Sequence, residues 1–209
     1  MNILEVMHYD NKKRPVLLIL PGGGYSRTSE REAFPVAYEF LELGFHQAIY
    51  YYREELLKYP EIYLDALKMI NKLINDPLIS DIHIIGFSAG GHLAAMLLTQ
   101  FPNLFKSGIL SYPVITSQKE YIHERSFDNL VVNYDLDKDS VSLERRVNKF
   151  MPPIFLWHTK EDRSVPYQNS VIMHEALLKV GVDSKLTLYE KGPHGLSLVF
   201  KGEHGDTYL

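Results

Sequence analysis

The chain contains no cysteine, which excludes a disulfide framework, a thiol nucleophile and a thiolate metal site together. It also lacks any long apolar run. Stretches such as Val16–Leu20 are far too short to span a bilayer. Its beginning, Met1 to Asp10, has neither a basic start nor an apolar core and does not read as a secretory signal, so a cytoplasmic protein is expected. Positive charge is not in excess: 22 Lys and Arg against 26 Asp and Glu give a formal net charge of −4. Such a balance offers no electrostatic reason to bind nucleic acid or an anionic membrane. Internal repeats, low-complexity tracts and linkers are missing too. What is present is 209 residues, 45% hydrophobic and 23% charged, which suits one soluble α/β domain over residues 1–209 with a substantial core. Tyrosine is plentiful, at 14, and most of these rings read as half-exposed packing residues rather than sugar-stacking surfaces.

Short apolar runs alternate with helical patterns, the signature of a mostly parallel sheet with helices on both faces. Seven strands are expected, at Ile3–His8, Val16–Leu20, Gln47–Tyr52, Ile82–Ile85, Ser107–Ser111, Ile154–His158 and Lys185–Tyr189. Helices are expected at Glu32–Leu43, Pro60–Asn75, Ala89–Phe101, Pro166–Val180 and Gly195–Lys201. Gly44 and Gly181 sit where C-terminal helix glycines belong. The segment Pro113–Pro153 breaks the alternation. It is polar, with weak helical stretches around Ser126 and Ser140, and reads as a small cap over the carboxyl ends of the strands.

The most informative stretch is Ile82-His83-Ile84-Ile85-Gly86-Phe87-Ser88-Ala89-Gly90-Gly91-His92. An apolar strand, Gly-x-Ser-x-Gly and a helix-forming run together describe a nucleophile elbow. A serine on so tight a strand-to-helix turn projects its hydroxyl outward from a strained backbone. The positions two before and two after must then be nearly free of side chain. The helix beside it aims unpaired N–H groups and a positive dipole end at any developing anion.

A serine hydroxyl needs a base, an orienting acid and oxyanion donors. After the second strand comes Pro21-Gly22-Gly23-Gly24-Tyr25, where backbone N–H groups can approach a substrate unobstructed. Gly23 and Gly24, with the Ala89 N–H, are the candidate oxyanion hole; losing one such donor typically costs roughly 100- to 1000-fold in turnover. Asp162, in the loop after Ile154–His158, is the candidate acid, preferred over its neighbour Glu161. His194, between Gly192 and Gly195, is the candidate base. The chain order Ser88, Asp162, His194 is the one this architecture demands. Tyr25, Phe87, His158 and Val165 are candidate substrate-lining residues. No histidine pair has metal-ligand spacing with a nearby carboxylate, so no metal and no cofactor are expected.

With these residues in place the chain resembles the α/β-hydrolases, and among them the acetyl xylan esterase-like or BD-FAE-type serine esterases. The matching pieces run in order: Pro21–Tyr25, Tyr52-Arg53, Gly86–Ala94, Ser111–Ile115, Phe155–Thr159 with Asp162 and Val165-Pro166, Asn169-Ser170, and Glu190–Gly195. The resemblance implies an α/β-hydrolase fold and hydrolysis of short carboxylic esters, often acetyl groups on sugars, by Ser88 with His194 and Asp162. It also implies that one of the fold's usual eight strands is missing here. Pro21 replaces a more familiar histidine, and Glu54–Lys58 is unusually charged. Arg53 is expected to form a structural ion pair with Asp65.

The expected partner is a small-molecule ester such as an acetylated sugar; oligomeric state is left open. Two rival readings stand beside the esterase. Gly-x-Ser-x-Gly-Gly also occurs in oligopeptidase-like hydrolases, although those usually carry a large further domain that 209 residues do not accommodate. A catalytically silent, ligand-binding member of the fold is the other, and the complete set of triad and oxyanion positions argues against it.

Overall fold

A computed structural model describes residues 2–132 and 138–198. The strands are β1 (Ile3–Met7), β2 (Arg14–Leu20), β3 (His46–Tyr51), β4 (Ile79–Phe87), β5 (Ser107–Ser111), β6 (Ile154–Thr159) and β7 (Ser184–Tyr189). The α-helices among the described residues are α1 (Phe34–Glu42), α2 (Glu61–Ile74), α3 (Ala89–Gln100), α4 (Glu124–Leu130) and α5 (Gln168–Lys179). The strands form one seven-stranded sheet in the order β1-β3-β2-β4-β5-β6-β7. β1 is an antiparallel edge on β3, and every other pairing is parallel. This is the mostly parallel, seven-stranded sheet anticipated from the alternation of apolar runs and helical patterns.

Central parallel strands are covered on both faces, so they read as nearly continuous apolar runs rather than as alternating ones. Val16, Leu18 and Leu20 point to the face covered by α2, α3 and α5. Leu17 and Ile19 point to the opposite face, where Val36 and Ala37 of α1 meet Ile49, Phe87 and Trp157. α2 buries Ile62, Ala66, Met69, Ile70 and Leu73, a stripe at helical spacing. In α3 every residue from Ala89 to Thr99 is buried; a helix apolar all round belongs in the interior. Among the described residues no helix is long and apolar enough to cross a membrane.

Register places the chemistry. Leu20 pairs with Gly86, Phe87 with Ser111, Ser111 with Trp157, and Thr159 with Tyr189. The carboxyl ends of β2, β4, β5, β6 and β7 therefore lie level, and the loops that follow them meet along one sheet edge. The 113–153 segment contributes α4 and short 3-10 turns at Lys138–Val141 and Leu143–Arg145, close to the weak helical stretches expected around Ser126 and Ser140.

Two expectations fail. The helix foreseen at Gly195–Lys201 is not formed over Gly195–Leu198. Gly195 and Ser197 have φ of +78° and +56°, which a right-handed helix excludes; the rest of that range lies outside the described residues. The ion pair between Arg53 and Asp65 does not form either. Asp65 Oδ2 accepts from Asn2 Nδ2 and Tyr50 OH. Arg53 Nη1 donates to the Leu57 carbonyl, and its guanidinium lies 5.9 Å from the Tyr25 ring centre.

Candidate active site

Ser88 joins β4 to α3 with φ 53° and ψ −117°, a backbone conformation that a side-chain-bearing residue holds only when its surroundings enforce it. Those surroundings are explicit. The Ser88 N–H extends the sheet to the Ser111 carbonyl at 3.0 Å, and its carbonyl accepts from His92 and Val114 N–H at 3.0 and 3.1 Å. A Cβ on Gly86 would come within 2.3 Å of the Gly90 carbonyl oxygen, and one on Gly90 within 2.1 Å of the Leu20 carbonyl oxygen. Both flanking glycines are thus required by backbone contact, which turns the Gly-x-Ser-x-Gly spacing into a packing statement.

Three distant loops converge on this serine. His194 Nε2 lies 2.8 Å from Ser88 Oγ, and His194 Nδ1 lies 2.6 Å from Asp162 Oδ2. A carboxylate only accepts, so Nδ1 carries the proton and Nε2 is left to accept from the hydroxyl. Asp162 is fully tied. Oδ1 accepts the N–H groups of Ser164 and Val165, each at 2.9 Å, while Oδ2 also takes His158 Nε2 at 3.1 Å. Burial raises its pKa, but the hydrogen bonds from both histidines and the backbone win, leaving the carboxyl well below the usual carboxylate range. Glu161, the neighbour passed over as the acid, instead accepts the Gly192 N–H at 3.2 Å and steadies the loop that carries His194.

The glycine loop after β2 is held by its carbonyls. Gly22 O accepts from Ser29, Gly23 O from Ser26 and Arg27, and Gly24 O from Asn129 Nδ2 at 2.7 Å. The Gly23 and Gly24 N–H groups have no acceptor among the described residues. Ala89 opens α3 directly after Ser88, where a first-turn N–H has no intrahelical acceptor. Gly23 and Gly24 line the same cavity as Ser88, and Ala89 follows the serine in the chain.

A cavity of about 630 Å³ opens at Ser88 and His194 and is lined by Gly23, Gly24, Ser26 to Glu32, His123, Arg125, Ser164 and Gly195. The four residues foreseen as substrate-lining are not among them. Tyr25, Phe87, His158 and Val165 are at most 2% exposed. Tyr25 turns inward to meet His92 Nδ1 at 2.8 Å, and Phe87 and Val165 belong to the two apolar cores. His158 lies beneath Asp162, bonded also to Ser170 and the Val165 carbonyl, and burial lowers its pKa so that it stays neutral. It supports the acid from behind rather than facing a ligand. The residues that do line the cavity come from a charged run, Arg27-Thr28-Ser29-Glu30-Arg31-Glu32, and from the start of α4. A cluster of charges directly after the glycine loop was the available signal. Among the described residues, no three His, Asp or Glu side chains converge as metal ligands would.

The model of the prolyl oligopeptidase family matches residues 46–204. Endo-1,4-beta-xylanase B of Butyrivibrio fibrisolvens is 30% identical over 235 residues, covering 99% of this chain and 37% of the relative. The acetylxylan esterase of Xylanibacter ruminicola is 27% identical over 205 residues, covering 89% and 42%. The chain thus spans about two-fifths of the length of these curated relatives. An acetyl ester-xyloside bifunctional hydrolase from Caldicellulosiruptor lactoaceticus superposes with a TM-score of 0.83 at 32% identity, over 94% of this chain and 80% of that one.

Proposed function

This chain belongs to the prolyl oligopeptidase family of α/β-hydrolases, and we propose that it is a serine carboxylesterase acting on short-chain, chiefly acetyl, esters of carbohydrates. The observation that carries the reading is the unbroken path from Ser88 Oγ through His194 to Asp162, with contacts of 2.8 and 2.6 Å. In this mechanism Ser88 Oγ attacks the ester carbonyl as His194 Nε2 takes its proton. The N–H groups of Gly23, Gly24 and Ala89 hold the oxyanion. Collapse of the tetrahedral intermediate expels the alcohol, which leaves with the proton from His194, and the acyl group stays on Ser88. A water deprotonated by His194 then attacks the acyl-enzyme, and the carboxylic acid departs.

The walls of the cavity support this substrate class. Among the described residues lining the cavity there is no aliphatic side chain and, apart from histidine, no aromatic one. Hydroxyl, guanidinium and carboxyl groups suit a hydroxyl-rich alcohol, and a long acyl chain would find nothing apolar to cover it. The names of the relatives, an acetylxylan esterase and an acetyl ester-xyloside hydrolase among them, point the same way.

The test is hydrolysis of p-nitrophenyl acetate against the octanoate, alongside an acetylated methyl xyloside. Acetate should be turned over faster, and Ser88→Ala should lower kcat by about 10⁴-fold or more. Activity that survives this substitution would remove the serine mechanism. The family's peptidase membership favours a second reading, an aminoacyl hydrolase; faster turnover of an aminoacyl p-nitroanilide than of the matching ester would select it.

A further inference from the structure

Glu32 has no part in the mechanism above, yet it is a buried carboxyl, 3% exposed, beside the reacting groups. Burying such a group costs several kcal/mol unless its oxygens are well paired. Both are paired, to two different loops. Oε2 accepts the Gly22 N–H at 2.7 Å, and Oε1 accepts the Tyr112 hydroxyl at 2.6 Å.

Each partner leads to a component of the proposed reaction. Gly22 immediately precedes the oxyanion donors and is wedged between Glu32 and the nucleophile. A Cβ there would meet Glu32 Oε2 at 2.8 Å and Ser88 Cβ at 3.0 Å. Tyr112 follows β5 with φ +37°, and its ring meets the His194 ring edge-on, with centres 5.0 Å apart. The same hydroxyl accepts the Ser197 N–H at 2.8 Å, and Ser197 Oγ donates to the Arg31 carbonyl at 2.6 Å. The circuit closes on the residue next to Glu32. The chain after His194 is thereby fastened to the turn that carries the carboxyl.

We propose that Glu32 is a positioning residue: its carboxylate fixes the Gly22–Gly24 loop so that the oxyanion donors stay aimed, and through Tyr112 it holds the His194 ring against Ser88. This rests on the serine-hydrolase reading. The transition state alone places full charge on the oxyanion donors, so misaiming them lowers kcat while leaving ground-state binding largely intact.

The experiment measures p-nitrophenyl acetate kinetics for Glu32→Ala, Glu32→Gln and Tyr112→Phe, with sites counted by stoichiometric labelling with a fluorophosphonate. Glu32→Ala leaves two donors without an acceptor, and kcat per labelled site should fall about 100-fold with KM within about threefold. Glu32→Gln keeps one acceptor oxygen and should recover part of that loss. Tyr112→Phe keeps the ring on His194 but cuts the tie, and should fall about tenfold. The proposal is overturned if all three variants keep wild-type kcat per site and lose only labelled sites or melting temperature, because Glu32 would then serve folding alone. A wild-type protein that neither turns over esters nor labels at Ser88 would instead sink the parent reading.

Discussion

Histidines with similar sequence surroundings are given different tasks by their contacts. His194 is part-exposed, with a hydroxyl on one nitrogen and a carboxylate on the other, the arrangement of a base. His92, one turn past Ser88, is fully buried. Its Nε2 donates to the Val141 carbonyl at 2.8 Å, so Nδ1 is the acceptor for Tyr25 OH. Burial, with the charge of Arg146 adding to it, pushes the His92 pKa down from 6.5 to about 4. The sign of the linkage is then fixed. Below pH 6.5 the unfolded chain takes up a proton that the folded protein refuses, so stability present above 6.5 drains away as pH falls toward 4. The difference amounts to about 3 kcal/mol. Urea unfolding between pH 7 and 4 should show that loss, and His92→Gln should show a shallower slope across the same window. Equal slopes for the two proteins would mean that His92 titrates normally.

At the scale of elements, what could be read in advance was whatever depends on near neighbours. The helices expected at Ala89–Phe101 and Pro60–Asn75 form at Ala89–Gln100 and Glu61–Ile74, and Gly44 and Gly181 do take positive φ, +84° and +83°, behind their helices. The helix expected at Gly195–Lys201 does not form over Gly195–Leu198, where Ser197 is held by distant partners, Arg31 and Tyr112. The elbow glycines and the capping glycines look alike in sequence but differ in what surrounds them. A Cβ on Gly90 would strike backbone oxygens of Leu20 and Pro21 at 2.1 and 2.5 Å, whereas a Cβ on Gly181 meets nothing within 4 Å. Gly90→Ala should therefore cost on the order of 3 kcal/mol or more, since backbone must move. Gly181→Ala should cost only the left-handed strain, about 1–2 kcal/mol. Chemical denaturation of the two variants checks the ranking, and comparable losses would refute the contact argument.

For the molecule as a whole, the order Ser88, Asp162, His194 was legible because loop order along the chain survives folding in this architecture. Which side chains face the cavity was not. Tyr25 and Val165 sit next to chemistry in sequence but turn into the same apolar core, through contacts with residues far away in the chain. The charge of the site was equally hidden. The chain carries a net −4, yet the exposed Arg27 and Arg125 line the cavity beside Ser88. Exposed guanidinium groups lining this cavity would attract an ester that itself bears a carboxylate. An O-acetylated uronic acid should accordingly show a lower KM than the neutral acetylated sugar at about 10 mM salt. Because these arginines are exposed, that preference should shrink toward nothing near 1 M, where screening acts within about 3 Å. Arg125→Gln should reduce the preference and leave kcat on the neutral ester unchanged. A KM ratio indifferent to both salt and Arg125 would show that the cavity selects by shape alone.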